Sequence, residues 1–269
     1  MRQVIPAGEA LPAPLKGLAR LRTLPGRIKP VRGFSHVAYI VLNGLLPILA
    51  YILVRIDFVA IAIFLIVLSK WRMLAVRPRY WVANLVSNGL DIMVAVSLVL
   101  FMASTSSTWW QLFWMVLYGG WLIWLKPRYD VLSVSAQAMI GQLLGLSLLY
   151  LKFGDSSIVG LVAGTWLVTY LSARHYLTSF EESHSALLAH IWAYFSASLA
   201  FILAHWLLFY GTIAQIIVIL TTIGYGLAAL YYLDATERLN VTLRRQMVAI
   251  MLAILLVVVI FSNWTGSTL

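Results

Sequence analysis

Nine apolar stretches follow one another between residues 36 and 262, separated by short polar turns, and this succession constrains the fold more than any other feature. They cover 36–54, 56–70, 81–103, 108–125, 131–151, 156–173, 185–210, 212–233 and 244–262. A hydrocarbon core of roughly 30 Å takes about 20 apolar residues in helical form. Lipid offers a backbone no hydrogen-bond partner, so continuous apolar runs of this length read as helices. The expectation is an all-α fold, a polytopic transmembrane helical bundle of about nine spans. The second stretch is short and follows the first through the tight turn Arg55-Ile56-Asp57. That leaves a full span, or a hairpin reaching only part way, both open.

Composition closes off the soluble alternative. Apolar residues make up 62% of the chain and charged ones 10%, against roughly a quarter charged in a soluble domain. A folded monomer of this size hides only about three quarters of its chain surface, so lipid must cover the rest. The chain has no cysteine, which excludes disulfides, thiolate metal sites and iron–sulfur clusters. The net charge of +10 does not indicate nucleic acid, because the basic residues sit beside apolar segments, where anionic headgroups account for them.

The basic residues also orient the bundle. With the N-terminus inside, every Lys and Arg except Arg55 and Lys152 falls on the inner side, which is the positive-inside pattern and puts the C-terminus outside. Trp71, Trp81 and Trp124 then mark inner span ends, and Trp109, Trp110, Trp206 and Trp264 outer ones. Residues 1–35, with Pro6, Pro12, Pro14, Pro25 and Pro30, read as a basic cytoplasmic arm lying against anionic headgroups, and 263–269 as a short outer tail. The location expected is a bacterial cytoplasmic membrane. A weak internal echo relates Arg77-Pro78-Arg79-Tyr80 to Lys126-Pro127-Arg128-Tyr129. It reads either as a duplicated hairpin or as a shared membrane-interface cap.

Asp91 stands near the middle of the third span, where an ionised carboxylate costs at least about 2.5–3.5 kcal/mol. Asn84, Asn88 and Asp91 share one helical face, so this face must turn into the bundle. It reads as an ion or substrate pathway, or else as a hydrogen-bonded packing network. Gln142, in the fifth span, is a candidate partner for Asp91. His190 and Tyr194, on one face of the seventh span with Ser198 and His205, are further pathway candidates. Gly141/Gly145 and Gly160/Gly164 form small-residue faces suited to close helix packing or to homo- or hetero-oligomers.

The inner loop Arg174–His184 holds His175, Glu181, Glu182 and His184. Imidazole and carboxylate together suit a divalent metal, although the spacing fits no metal template. Helix capping by Ser179, Glu181 and Glu182, and by Asp234 with Glu237, is the competing account. Haem, flavin, retinal and iron–sulfur groups are not expected: no partner histidines suit a haem, no lysine lies inside a span, and no phosphate-binding glycine loop is present. The reading is therefore a transporter, channel or ion-coupled permease around Asp91. A non-catalytic assembly or scaffold subunit comes next, and an integral membrane metalloenzyme at the inner headgroups last.

Overall fold

The computed structural model describes residues 34–73, 75–154, 157–180, 182–204, 209–210 and 213–262. The arm at 1–33, Glu181, His205, Trp206 and the tail beyond 262 lie outside the described residues. Tyr39–Leu269 form one compact unit and Met1–Ala38 another; the packing below concerns the first.

Nine α-helices are present among the described residues. They are α1 Phe34–Arg55, α2 Val59–Ser69, α3 Trp81–Ala103, α4 Thr108–Gly120, α5 Val131–Phe153, α6 Ile158–Ser179, α7 Ser185–Ala204, α8 Gln215–Ala235 and α9 Val241–Phe261. A π-helical turn, Trp121–Leu125, continues α4. Five segments are long and apolar enough to cross a membrane: Pro78–Ala103, Val131–Phe153, Ser185–Leu203, Gln215–Ala235 and Val241–Phe261. These are compatible with a multi-pass membrane protein.

Three boundaries differ from the sequence reading. α2 stops after 11 residues, a rise of about 16 Å, or half a hydrocarbon core. Its turn from α1 is tight enough to hold Asp57 at φ 60. Next, α6 runs to Ser179 instead of ending near 173, because its polar last turns bond internally, Ser179 Oγ donating to the His175 carbonyl at 2.8 Å. Last, α7 ends at Ala204, and Phe209–Tyr210 pair antiparallel with Ile213–Ala214 where the sequence suggests continuous helix.

Three helix starts are capped by short polar side chains. Asp130 accepts from the Ser133 N–H at 3.2 Å, Ser157 from Gly160 at 3.2 Å, and Asn240 from Leu243 at 2.6 Å. The bond from Ser133 holds the Asp130 carboxyl below its ordinary range. Asn240, not the Asp234/Glu237 pair, therefore starts α9; Glu237 stands in a left-handed turn at φ 57.

Packing divides into two cores. One joins α1 to α4 around Ala50, Ile66, Val94, Leu98, Tyr118 and Leu122. The other joins α5 to α8 around Leu146, Leu161, Leu220 and Ile217. α3, α5 and α6 pack against one another and bridge the two. Gly141 lies against Leu90, and a Cβ on Gly145 would come within 2.8 Å of Met93 Sδ and 2.9 Å of Val168 Cγ1. Gly164 likewise faces Leu149, whereas Gly160 is exposed at the start of α6. α9 packs mainly on α8 and has one buried residue, Val258.

Candidate functional site

The site forms where the half-length helix α2 ends. Asp91 lies ten residues into α3, about 15 Å along its axis. α2 stops at Ser69, so Lys70 is left at a comparable depth, and the 3-10 turn Trp71–Met73 carries the chain onward. Lys70 Nζ meets Asp91 Oδ2. From the neighbouring helix, Lys126 Nζ reaches the same oxygen at 2.6 Å, and Trp121 Nε1 donates to Oδ1 at 2.8 Å.

Local geometry explains both donors on α4. The loop between α3 and α4 is short, so the helices run antiparallel and Trp121 comes level with Asp91. The π turn closes through the Lys126 N–H to the Trp121 carbonyl at 2.9 Å. Helical side chains tilt toward their own N-terminus. A lysine just past the end of α4 is thereby directed back into the bundle, with its stem along apolar surface.

The result is a carboxylate held by two ammonium groups and an indole N–H. Side-chain exposure is 12% for Asp91, 11% for Lys70 and 34% for Lys126. A paired, hydrogen-bonded charge is the form in which burial is tolerable. Among the described residues, two lysines thus meet one aspartate. Tyr118 is fully buried within electrostatic reach of Asp91, and its hydroxyl has no partner among the described residues.

Beside this triad is a cavity of about 670 Å³. Lys70, Lys126, Asn84, Asn88 and Ser69 line it, and α1 contributes Leu42, Leu45, Leu46 and Leu49 together with Asn43. Among the described residues no acidic side chain lines it. Asn84 donates to the Met73 carbonyl at 3.2 Å, tying the turn after α2 to α3, and Asn88 donates to the Asn84 carbonyl at 2.9 Å.

Gln142 is not a partner of Asp91. Its amide donates to the Leu220 carbonyl at 3.0 Å, in the other core. His190 and Tyr194 gather around Trp166 and Tyr170 of α6: His190 is 4.7 Å from the Tyr170 ring and Tyr194 6.0 Å from Trp166. Tyr194 is 63% exposed, so this helix face turns outward. Its His190 Nδ1 lies 2.7 Å from the Ala186 carbonyl.

The loop candidates separate as well. His175 belongs to α6, and its Nε2 lies 2.8 Å from Gln137 Oε1. Gln137 in turn donates to the Leu125 and Arg128 carbonyls at 2.6 and 2.9 Å, fixing the turn that carries Lys126. His184 is exposed, with Nδ1 3.0 Å from Ser183 Oγ. Glu182 accepts from Tyr231, Ser183 and the His184 N–H. The Tyr231 hydroxyl is the main reason that its carboxyl lies below the ordinary glutamate range. Among the described residues no three His, Asp or Glu side chains are grouped to hold a metal.

Sequence reasoning missed Lys70, Lys126 and Trp121 as site residues by assigning the lysines to the headgroup region. The signal for Lys70 was present: a stretch too short to span must end at depth. For Lys126 the backward tilt of helical side chains was the clue. No protein-family description, curated protein or solved structure matches this chain.

Proposed function

We propose that this is a multi-pass membrane carrier that takes the anionic head of an amphiphile into the cavity beside Lys70 and Lys126. One observation carries the reading: a cavity with two lysines and no acid among its described lining residues, and four leucines from α1. Two ammonium groups on one wall attract an anion, and the leucines suit an attached hydrocarbon. The pathway reading of Asp91, Asn84 and Asn88 is kept in altered form. Asp91 positions the two lysines, and the asparagines supply neutral amides beside them. In this reading all nine helices cross or enter the bilayer, with the N-terminus on the cytoplasmic side, as the distribution of Lys and Arg supports.

The test is binding of decyl phosphate and decylammonium to the detergent-solubilised chain by titration calorimetry. Decyl phosphate should bind, about 10–100-fold more weakly to Lys70→Gln, as expected for loss of a charge-assisted hydrogen bond. Lys126→Gln, read in the same way, should weaken decyl phosphate in the same direction. Preference for decylammonium, or decyl phosphate binding unchanged in a folded Lys70→Gln variant, would refute the reading.

A second reading is favoured by the pairing of Asp91 itself. The triad joins the ends of α2 and α4 to α3, as a structural staple would. That role predicts destabilisation by Lys70→Gln with neither amphiphile bound.

A further inference from the structure

A second cavity, of about 790 Å³, lies between α5, α6, α7 and α8. Small side chains, Ala138, Ala173, Ala228 and Ala229, leave the space, and Leu188, Ile191 and Phe195 of α7 wall it. α7 packs mainly on α6 and touches α8 little. Among the described residues no charged side chain lines the cavity. Most of its polar lining groups bond within the protein. Ser135 and Ser172 donate to the Val131 and Val168 carbonyls at 2.8 and 3.0 Å, Tyr176 to Ala228 at 2.8 Å, and Gln142 to Leu220 at 3.0 Å. The Thr221 hydroxyl is shielded and has no partner among the described residues. The walls thus favour a hydrocarbon, and a volume of this order is typical of ligand sites at roughly 300–1,000 Å³.

Charge on the turn that Tyr231 ties to the cavity specifies the head. Tyr231 lines the cavity and donates to Glu182 in the α6–α7 loop. Arg174, next to the lining residue Ala173, donates to Ser185 Oγ at 2.6 Å, and the Ser185 N–H bonds the Glu182 carbonyl at 3.2 Å. One carboxylate and one guanidinium are therefore held by the same turn. We infer that a zwitterionic aminophospholipid inserts an acyl chain between α7 and α8, its ammonium toward Glu182 and its phosphate toward Arg174. The site is separate from the Lys70 cavity and does not depend on the carrier reading.

The full chain is reconstituted in vesicles of phosphatidylethanolamine and phosphatidylglycerol, each in turn carrying a photoactivatable diazirine on its acyl chain. The labelled peptides are then mapped. The ethanolamine probe should label α7 and α8 lining residues in preference to the outward residues Leu252 and Leu256 of α9. Filling the cavity with Ala138→Phe and Ala228→Phe should cut lining labelling about tenfold, the ratio for roughly two lost methylenes of burial, and leave α9 unchanged. Ala228→Leu alone serves if the double variant does not fold. Glu182→Gln should abolish the preference for ethanolamine over glycerol. Labelling no stronger than at α9, or insensitive to filling, overturns the site. Equal labelling by both probes overturns the head assignment.

Discussion

Asp91→Asn removes the one negative charge between the shielded Lys70 and the partly exposed Lys126 while keeping the side-chain shape. The amide still accepts one bond, from Trp121 or from a lysine, but it no longer neutralises either cation. Breaking a buried ion pair by removing one partner costs about 3–5 kcal/mol. The cost does not divide equally between the lysines. Lys126, 34% exposed, turns outward more readily than Lys70, 11% exposed at the end of a half-length helix. The expected loss is thus about 3–5 kcal/mol, or two to four decades in the unfolding equilibrium. Unfolding in mixed micelles of dodecyl maltoside and dodecyl sulfate, followed by circular dichroism, measures it. Adding Lys70→Met to Asp91→Asn should recover about 1–3 kcal/mol, the coupling expected between contacting residues. The reasoning fails if Asp91→Asn unfolds within about 0.5 kcal/mol of the parent, the range of an uninvolved surface change.

Tyr118→Phe should be neutral or stabilising by up to about 1–3 kcal/mol, since it removes a buried hydroxyl with no partner among the described residues; the same unfolding titration reads it. Asn240→Ala should cost about 1 kcal/mol by removing the α9 cap, visible as faster hydrogen exchange at the amides of residues 241–243. For Glu182 the folded carboxyl lies below its unfolded range, so its contribution is present above that range and is lost as pH falls through the depressed value. Acidification from neutral pH should loosen the α6–α7 loop in the parent, while Tyr231→Phe weakens this dependence; hydrogen exchange in 182–186 from pH 7 downward tests both. A Gly145→Val variant should lose about 1–3 kcal/mol by overpacking against Met93 and Val168, again by unfolding titration.

The sequence by itself determined that the chain is helical, because apolar runs of this length in lipid must bond their own backbone. It determined that Asp91 faces inward, since a carboxylate on an apolar helix has no tolerable place against lipid. It also marked the second stretch as short, with a full span and a hairpin reaching part way both open. Only the tertiary structure decided what Asp91 meets. The candidate Gln142 lies on α5 and turns to the α8 backbone, while Lys70 and Lys126, assigned to the headgroups, turn inward. The same holds for His175, whose place in α6 and bond to Gln137 follow from the helix running past its apolar portion. Periodicity places a side chain on a face, but depth depends on where neighbouring helices stop. Here the early end of α2 and the π turn of α4 bring two cations to one carboxylate, and neither event is written in the local pattern of apolar residues.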